Sequence, residues 1–150
     1  MKKFSVLIIT SLIIFSCSDP LKIDLQNYTR QLRPLAELEE NAINRWNSVS
    51  GKNFVNDGYM YQALDSYIID TYSQFVEKVK TIKTQTNELK ELNDKYVKAA
   101  EKQLSAFKMM KAGLEKRNGD LMNKSYQLLK EGREDEKLCL IKIEELSRSH

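Results

Sequence analysis

Apolar residues recur along most of the chain at spacings of three, four and seven, which is the period of an amphipathic α-helix. The alternation of apolar and polar residues that is typical of a strand does not occur. Helix breakers are scarce, with five Gly and two Pro in 150 residues. Leu, Lys, Glu, Gln and Ala, which favour helices, make up much of the rest. The pattern predicts an all-α protein with four long helices.

The first helix is predicted over about residues 21–48. Asp19 can cap its start, and Pro20 suits its first turn. Pro34 interrupts the helix and predicts a kink or a restart, because proline lacks the backbone N–H and clashes with the preceding turn. A stretch rich in Ser, Gly, Asn and Asp over 47–58 predicts the clearest loop. The apolar positions of this helix are Leu25, Tyr28, Leu32, Leu35, Ala42 and Trp46.

The second and third helices are predicted over about 57–83 and 87–117. A break between them is expected at 84–86, because threonine favours caps over helix interiors. No Gly or Pro lies there, so one longer continuous helix is the alternative. The stripe of the second helix is Met60, Leu64, Tyr67, Phe75, Val79 and Ile82, with Thr71 filling one position. The stripe of the third has a near-heptad register, typical of coiled-coil packing: Leu89, Leu92, Tyr96, Ala100, Gln103, Phe107, Met110 and Leu114.

The third helix is predicted to end at Asn118-Gly119-Asp120. Gly119 suits a left-handed C-cap, and Asp120 can cap the fourth helix. The fourth helix runs to about residue 147, and its stripe contains Met122, Leu129, Cys139, Ile143 and Leu146. Helices of about 27 residues joined by short loops predict an antiparallel up-down-up-down four-helix bundle over residues 21–148.

The first residues form a different kind of segment. Lys2 and Lys3 precede an apolar run of about twelve residues, over 4–15. A helix of that length spans about 18 Å, whereas a bilayer core is about 30 Å thick. The run therefore has the length of a signal-peptide core and not that of a transmembrane helix.

The sequence Ile14-Phe15-Ser16-Cys17 follows directly and resembles a bacterial lipobox, in which the chain is cut just before a cysteine that is lipidated. The resemblance implies that residues 1–16 are a cleaved signal peptide and that residues 17–20 are a short lipidated tether. An ordinary secretory signal and an uncleaved anchor are the alternatives.

The same resemblance implies the location of the protein. Cys17 would carry a diacylglyceryl thioether, usually with a further N-acyl chain, and two or more chains hold a protein stably on a membrane. Ser18, in place of Asp, resembles the outer-membrane sorting pattern of many Gram-negative lipoproteins. The expected location is the bacterial cell envelope, with the outer membrane favoured over the inner membrane.

Charge and cysteine content narrow the possible partners. Removal of Lys2 and Lys3 from the 24 basic residues leaves 22 against 21 acidic ones, so the mature chain is nearly neutral. It lacks the clustered basic stripe of a nucleic-acid-binding surface, and no nucleic-acid partner is expected. Cys139 lies between Leu138 and Leu140, which predicts a buried free thiol.

The sequence contains few residue sets that support catalysis. The one histidine, His150, is the last residue. The inward-facing Glu-x-x-His pairs of metal-binding bundles are missing, as is a Gly-rich phosphate loop. The acid pairs Glu39-Glu40 and Glu144-Glu145 point about 100° apart on a helix and are interpreted as solvated faces. We therefore expect no enzymatic activity, no cofactor and no metal site.

Two functional hypotheses remain. The first is a non-catalytic module that binds or supports another macromolecule at the envelope. Its candidate contact surface is the end of the bundle away from the membrane, formed by Trp46, Phe54, Tyr59, Tyr61 and Arg117. Alternatively, Trp46 and Tyr59 close the end of the bundle.

The second hypothesis is a carrier or sensor that holds a small apolar ligand or a metal between its helices. Its expected lining is Tyr67, Thr71, Tyr96 and Gln103.

We predict that Cys17→Ala abolishes the incorporation of a radioactive fatty acid, because the cysteine sulfur is the proposed attachment atom. The measurement is metabolic labelling of wild-type and variant chains in bacteria. Label retained by the variant would contradict lipidation at Cys17.

Overall fold

The computed structural model describes residues 19–149, and all of the regular elements there are helices. The prediction of an all-α chain with four helices is confirmed for this part of the chain. No helix within residues 19–149 combines the length and the apolar character that are needed to cross a membrane. Cys17, the predicted signal peptide and His150 lie outside the described residues.

The first predicted helix consists of two parts, α1 (Pro20–Leu32) and α2 (Ala36–Asn47). A 3-10 turn at Arg33–Leu35 joins them, so the restart predicted at Pro34 is confirmed. The Asp19 carboxylate accepts a hydrogen bond from the backbone N–H of Leu21 at 3.0 Å and caps α1 as expected.

The second predicted helix is also irregular. It comprises α3 (Asp57–Ala63) and α4 (Ile69–Lys80), which a π-helical turn at Leu64–Ile68 connects. The wider turn changes the register of the positions that follow it. Tyr67 is therefore 41% exposed, and its prediction as a stripe residue was wrong. Ile68 and Tyr72 are buried on the core side of this helix.

The third and fourth predicted helices are α5 (Asn87–Glu115) and α6 (Gly119–Ser149). The loop over 81–86 separates α4 from α5, which excludes the continuous helix. Asp24 of α1 holds this loop: its carboxylate accepts hydrogen bonds from the backbone N–H groups of Gln85 and Thr86 at 2.8 and 2.7 Å. Burial opposes the charged form, but the hydrogen bonds from Thr86 and Gln85 lower the pKa of Asp24 below its usual range.

The turn between α5 and α6 differs from its prediction. Arg117 is the residue with left-handed backbone, at φ 49°, and Gly119 is already the first residue of α6. The backbone N–H of Asn118 donates to the carbonyl of Gly113 at 2.8 Å, which is the closing bond of a Schellman motif. The motif therefore closes two residues earlier than expected.

The cap of α6 also shifts. The side chain of Asn118, not that of Asp120, accepts a hydrogen bond from the backbone N–H of Leu121 at 3.0 Å. The two backbones are close here, because a Cβ on Gly113 would lie 2.7 Å from Met122 Cγ.

Small side chains allow α5 and α6 to pack closely along their length. A Cβ on Gly132 would lie 2.7 Å from Gln103 Cγ and 3.1 Å from the carbonyl oxygen of Ala99. The buried Ser125 hydroxyl donates to the carbonyl of Ala106 at 3.0 Å. Gly132 lowers intrinsic helix propensity by about 1 kcal/mol relative to Ala, but it permits this contact.

Aromatic rings fill the middle of the core. Tyr72 packs edge-on against Phe75 and Phe107, with ring centroids 5.4 and 5.3 Å apart. Trp46 packs against Phe107 at 5.4 Å. Cys139 is a buried free thiol, as predicted. The core thus joins α2, α4, α5 and α6 around one group of rings.

Candidate functional site

Two carboxyl groups from different helices meet inside the bundle. Glu39 of α2 lies four residues after Leu35 and three before Ala42, so the helix period carries it to the core side. Glu136 of α6 lies three residues before the buried Cys139 and is itself only 9% exposed. Glu39 is partly buried, and the Glu136 carboxyl lies close enough to contribute to its raised pKa.

Three further side chains hold the two acids in place. Gln103 Nε2 donates to Glu136 Oε2 at 2.7 Å. The hydroxyls of Tyr96 and Tyr72 donate to Glu39 at longer distances, 3.4 and 3.5 Å. We call Glu39, Tyr72, Tyr96, Gln103 and Glu136 the carboxyl cluster. Its members come from α2, α4, α5 and α6.

Protonation of Glu39 allows the two carboxyl groups to lie together inside the bundle. Burial, followed by the hydrogen bond and the charge of Glu136, raises the pKa of Glu39 far above the ordinary carboxyl value of about 4.3. Glu39 therefore keeps a proton at neutral pH. Burial also raises the pKa of the Tyr72 and Tyr96 hydroxyls, so both act as hydrogen-bond donors to the acids.

Several buried polar atoms in and beside the cluster have no hydrogen-bond partner within residues 19–149. They are Gln103 Oε1, Glu136 Oε1 and Nη2 of Arg133, which lies three residues before Glu136 on α6. Buried polar atoms are normally paired, because an unmade hydrogen bond costs about 1–3 kcal/mol. Two acceptors and one donor thus lack the partner that buried polar atoms normally have.

The residues that carry these atoms line a cleft of about 480 Å³ between α2 and α6. The floor of this α2–α6 cleft includes both acids of the cluster, Gln103 and Arg133, and its walls include aliphatic side chains. The cleft is lined by Ala36, Glu39, Glu40, Ile43, Gln103, Arg133, Glu136 and Leu140. Three members of the cluster, Glu39, Gln103 and Glu136, therefore border a cleft at the surface.

The residues of the predicted partner surface have different environments. Trp46 is 3% exposed and packs on Phe107 and Tyr126, so it closes the core as the alternative interpretation expects. Tyr59 is exposed, and Arg45 lies over its ring at 5.4 Å from the centroid. Phe54 is 46% exposed.

The other two predicted surface residues lie at the turn end of α5. The Tyr61 hydroxyl donates to Glu115 Oε1 at 2.8 Å, and Lys111 Nζ lies 5.6 Å from its ring centroid. Arg117 is exposed. Phe54 lines the same shallow groove as Gly119, so the loop after α2 lies beside the α5–α6 turn. Phe54, Tyr59, Tyr61 and Arg117 are thus near one end of the molecule, with Trp46 beneath them.

The interpretation of Glu39 as part of a solvated face was wrong, since its carboxyl belongs to the cluster. The signal was present: Glu39 and Glu136 occupy the vacant stripe positions between Leu35 and Ala42 and between Leu129 and Cys139. Neither acid was assigned to a stripe, because a carboxylate is seldom buried without a partner and no single helix shows one.

Of the expected ligand lining, Tyr96 and Gln103 belong to the cluster. Thr71 is buried, and Tyr72 takes the place expected for Tyr67 because of the π-helical turn. Among residues 19–149, no three His, Cys, Asp or Glu side chains are grouped so that they could hold a metal ion.

No protein-family model matches the chain, no curated protein matches its sequence and no solved structure matches its fold.

We predict that Glu39→Gln flattens the pH dependence of stability. The folded-state pKa of Glu39 lies above its unfolded value, so its protonation stabilises the fold fully below about pH 4.3. This stabilisation is lost as the pH rises through the folded pKa. Glutamine imitates the protonated acid at every pH. The free energy of unfolding of the variant minus that of wild type should therefore increase by up to about 1.4 kcal/mol per pH unit between pH 5 and 8.

The measurement is urea unfolding at a series of pH values. Glu40→Gln is the matched control, because Glu40 is the exposed neighbour on the same helix, and its profile should follow wild type. Parallel profiles for wild type and Glu39→Gln would show that Glu39 is ionised at neutral pH.

Proposed function

We propose that this protein is a lipid-anchored helical bundle of the bacterial envelope, most consistent with the outer membrane, that binds a small molecule in the α2–α6 cleft. One observation carries the proposal: the carboxyl cluster is buried, incompletely hydrogen-bonded and open to the cleft. Such a cluster reduces stability, and polar groups of perturbed pKa in a concave site are typical of binding or active sites.

Binding is favoured over catalysis by the chemistry of the cluster. It supplies two acids, two hydroxyl donors and an amide. These groups recognise a ligand by hydrogen bonds and charge, and the cluster holds no serine, threonine, cysteine or lysine nucleophile.

We infer an up-down-up-down course for the four helices. Two contacts support it. Gln31 Nε2 near the end of α1 donates to the carbonyl of Lys83 in the α4–α5 loop at 3.1 Å. Tyr61 of α3 contacts Glu115 at the end of α5. With the chain anchored at Cys17, a helical rise of 1.5 Å per residue would place Glu39 about 30 Å from the membrane surface, accessible to dissolved ligands.

The test is native mass spectrometry of the mature chain, residues 17–150, purified from bacterial membranes without unfolding. We expect a bound mass on wild type that Glu136→Leu loses, because leucine removes both the charge and the acceptor. Glu37→Gln should keep the bound mass, because Glu37 is exposed on α2 and does not line the cleft.

A bare apo mass for wild type, together with no shift of its melting temperature in a metabolite extract, would reject the binding proposal. Circular dichroism of Glu136→Leu would verify that the variant is folded.

A second candidate function is the partner-binding surface at the loop end. It is favoured by the exposure of apolar side chains on consecutive or nearby residues, with Val55 at 67% and Phe54 and Tyr59 also exposed.

A photo-cross-linking residue at position 55 should capture a specific envelope protein in living cells, whereas the same residue at exposed Gln62 should not. Equal products from both positions, or none from position 55, would exclude this surface.

A further inference from the structure

The unpartnered atoms at the floor of the α2–α6 cleft indicate what kind of molecule it binds. Two are acceptors, Gln103 Oε1 and Glu136 Oε1, and one is a donor, Arg133 Nη2. We propose that the cleft binds a small zwitterion with a primary ammonium group, a carboxylate and an aliphatic side chain, as in an aliphatic amino acid. This inference rests on the proposed small-molecule function and specifies its ligand.

The acceptors form the ammonium site. Gln103 is fully buried and Glu136 is 9% exposed, so each has lost its contact with bulk water while keeping an oxygen without a partner. Both side chains line the cleft. The amide nitrogen of Gln103 is held by Glu136 at 2.7 Å, which fixes the orientation of the amide. An ammonium group has three N–H donors and can satisfy both oxygens at once.

Arg133 supplies the carboxylate site. It is three residues from Glu136 on α6, and its side chain lines the same cleft. A guanidinium is planar and presents its N–H donors in a fork that matches a carboxylate. An ammonium and a carboxylate on one carbon atom are close enough to reach two neighbouring sites of this kind.

The charge of the site favours a zwitterion over a simple ion. The negative charge that Glu136 places beside Glu39 and the positive charge of Arg133 meet at the same cleft. An amine alone would leave the guanidinium unpaired, and a carboxylate alone would leave the acid pair unpaired. A zwitterion pairs both charges and leaves the partly buried site neutral, which avoids the cost of an uncompensated buried charge.

The walls of the cleft indicate the side chain. Ala36 and Ile43 of α2 and Leu140 of α6 line it, and all three are aliphatic. Contact with these residues would remove apolar surface of the ligand from water. Each Å² removed stabilises the complex by about 25 cal/mol. An aliphatic side chain of the ligand therefore fits better than a charged one.

The experiment is calorimetric titration of the mature chain, residues 17–150, with L-leucine and with two matched half-ligands. The first, 4-methylpentanoate, is leucine without its ammonium group. The second, 3-methylbutylamine, is leucine without its carboxylate. We expect leucine to bind, and each half-ligand to bind at least tenfold more weakly, because each loses one charge-assisted contact.

Variants test which residue binds the ammonium group of the ligand and which binds its carboxylate. Glu136→Gln should weaken leucine binding at least tenfold and should leave 4-methylpentanoate binding unchanged or stronger. Arg133→Gln should weaken leucine at least tenfold and should not weaken 3-methylbutylamine. Arg133→Lys keeps the charge but not the fork, and should give an intermediate affinity. Glu37→Gln is the control, because Glu37 is exposed on α2 and does not line the cleft, and it should bind leucine like wild type.

The inference is overturned if leucine, valine, alanine and glycine all fail to bind at millimolar concentration, or if one half-ligand binds as tightly as leucine. A bound mass of a different chemical class in native mass spectrometry, lost in Glu136→Leu, would reject the amino-acid ligand and retain the small-molecule function. Failure of both experiments would reject both. Each variant is compared with wild type by circular dichroism, and Arg133→Lys provides a second test if Arg133→Gln unfolds.

Discussion

The protonated carboxyl of Glu39 beside Glu136 is the feature on which the arrangement of the bundle centre depends. Two ionised carboxylates placed side by side would repel each other, and burial would add a large desolvation cost. The proton on Glu39 removes this repulsion and lets the acids of α2 and α6 lie together at the cleft. Gln103 and the two tyrosines then connect the two acids to α4 and α5. A polar link thus holds together helices that are otherwise separated here by a cleft.

Local irregularities in three helices surround this link. The 3-10 turn at Arg33–Leu35 precedes the turn of α2 that carries Glu39. The π-helical turn at Leu64–Ile68 directs Tyr72 inward and Tyr67 outward. Gly132 lets α6 approach the backbone of α5 beside Gln103. Each feature weakens an ideal helix slightly, and each contributes to positioning a member of the carboxyl cluster. Such departures from regularity are expected near functional sites.

Sequence patterns were accurate where a single helix determines the outcome. The cap at Asp19, the interruption at Pro34, the break before α5 and the burial of Cys139 all depend on neighbouring residues or on the helix period. The prediction from sequence was wrong at the α5–α6 turn, where Arg117 and not Gly119 has the left-handed backbone conformation. Gly113 and Met122 of the two helices lie close together at that turn, since a Cβ on Gly113 would lie 3.1 Å from the Met122 backbone nitrogen.

The sequence by itself determined the all-α class, the four helices, their loops and most of the apolar stripe, because helix propensity and a 3.6-residue period are properties of each segment alone. The sequence also places polar residues at stripe positions, but the partners of these residues cannot be deduced from one helix. Only the tertiary structure decided that Glu39 meets Glu136, that Tyr72 replaces Tyr67 and that Trp46 lies beneath the loop end. The physical reason is that an acid at a stripe position is acceptable only when another helix supplies its hydrogen-bond partner, and that partner is distant in sequence.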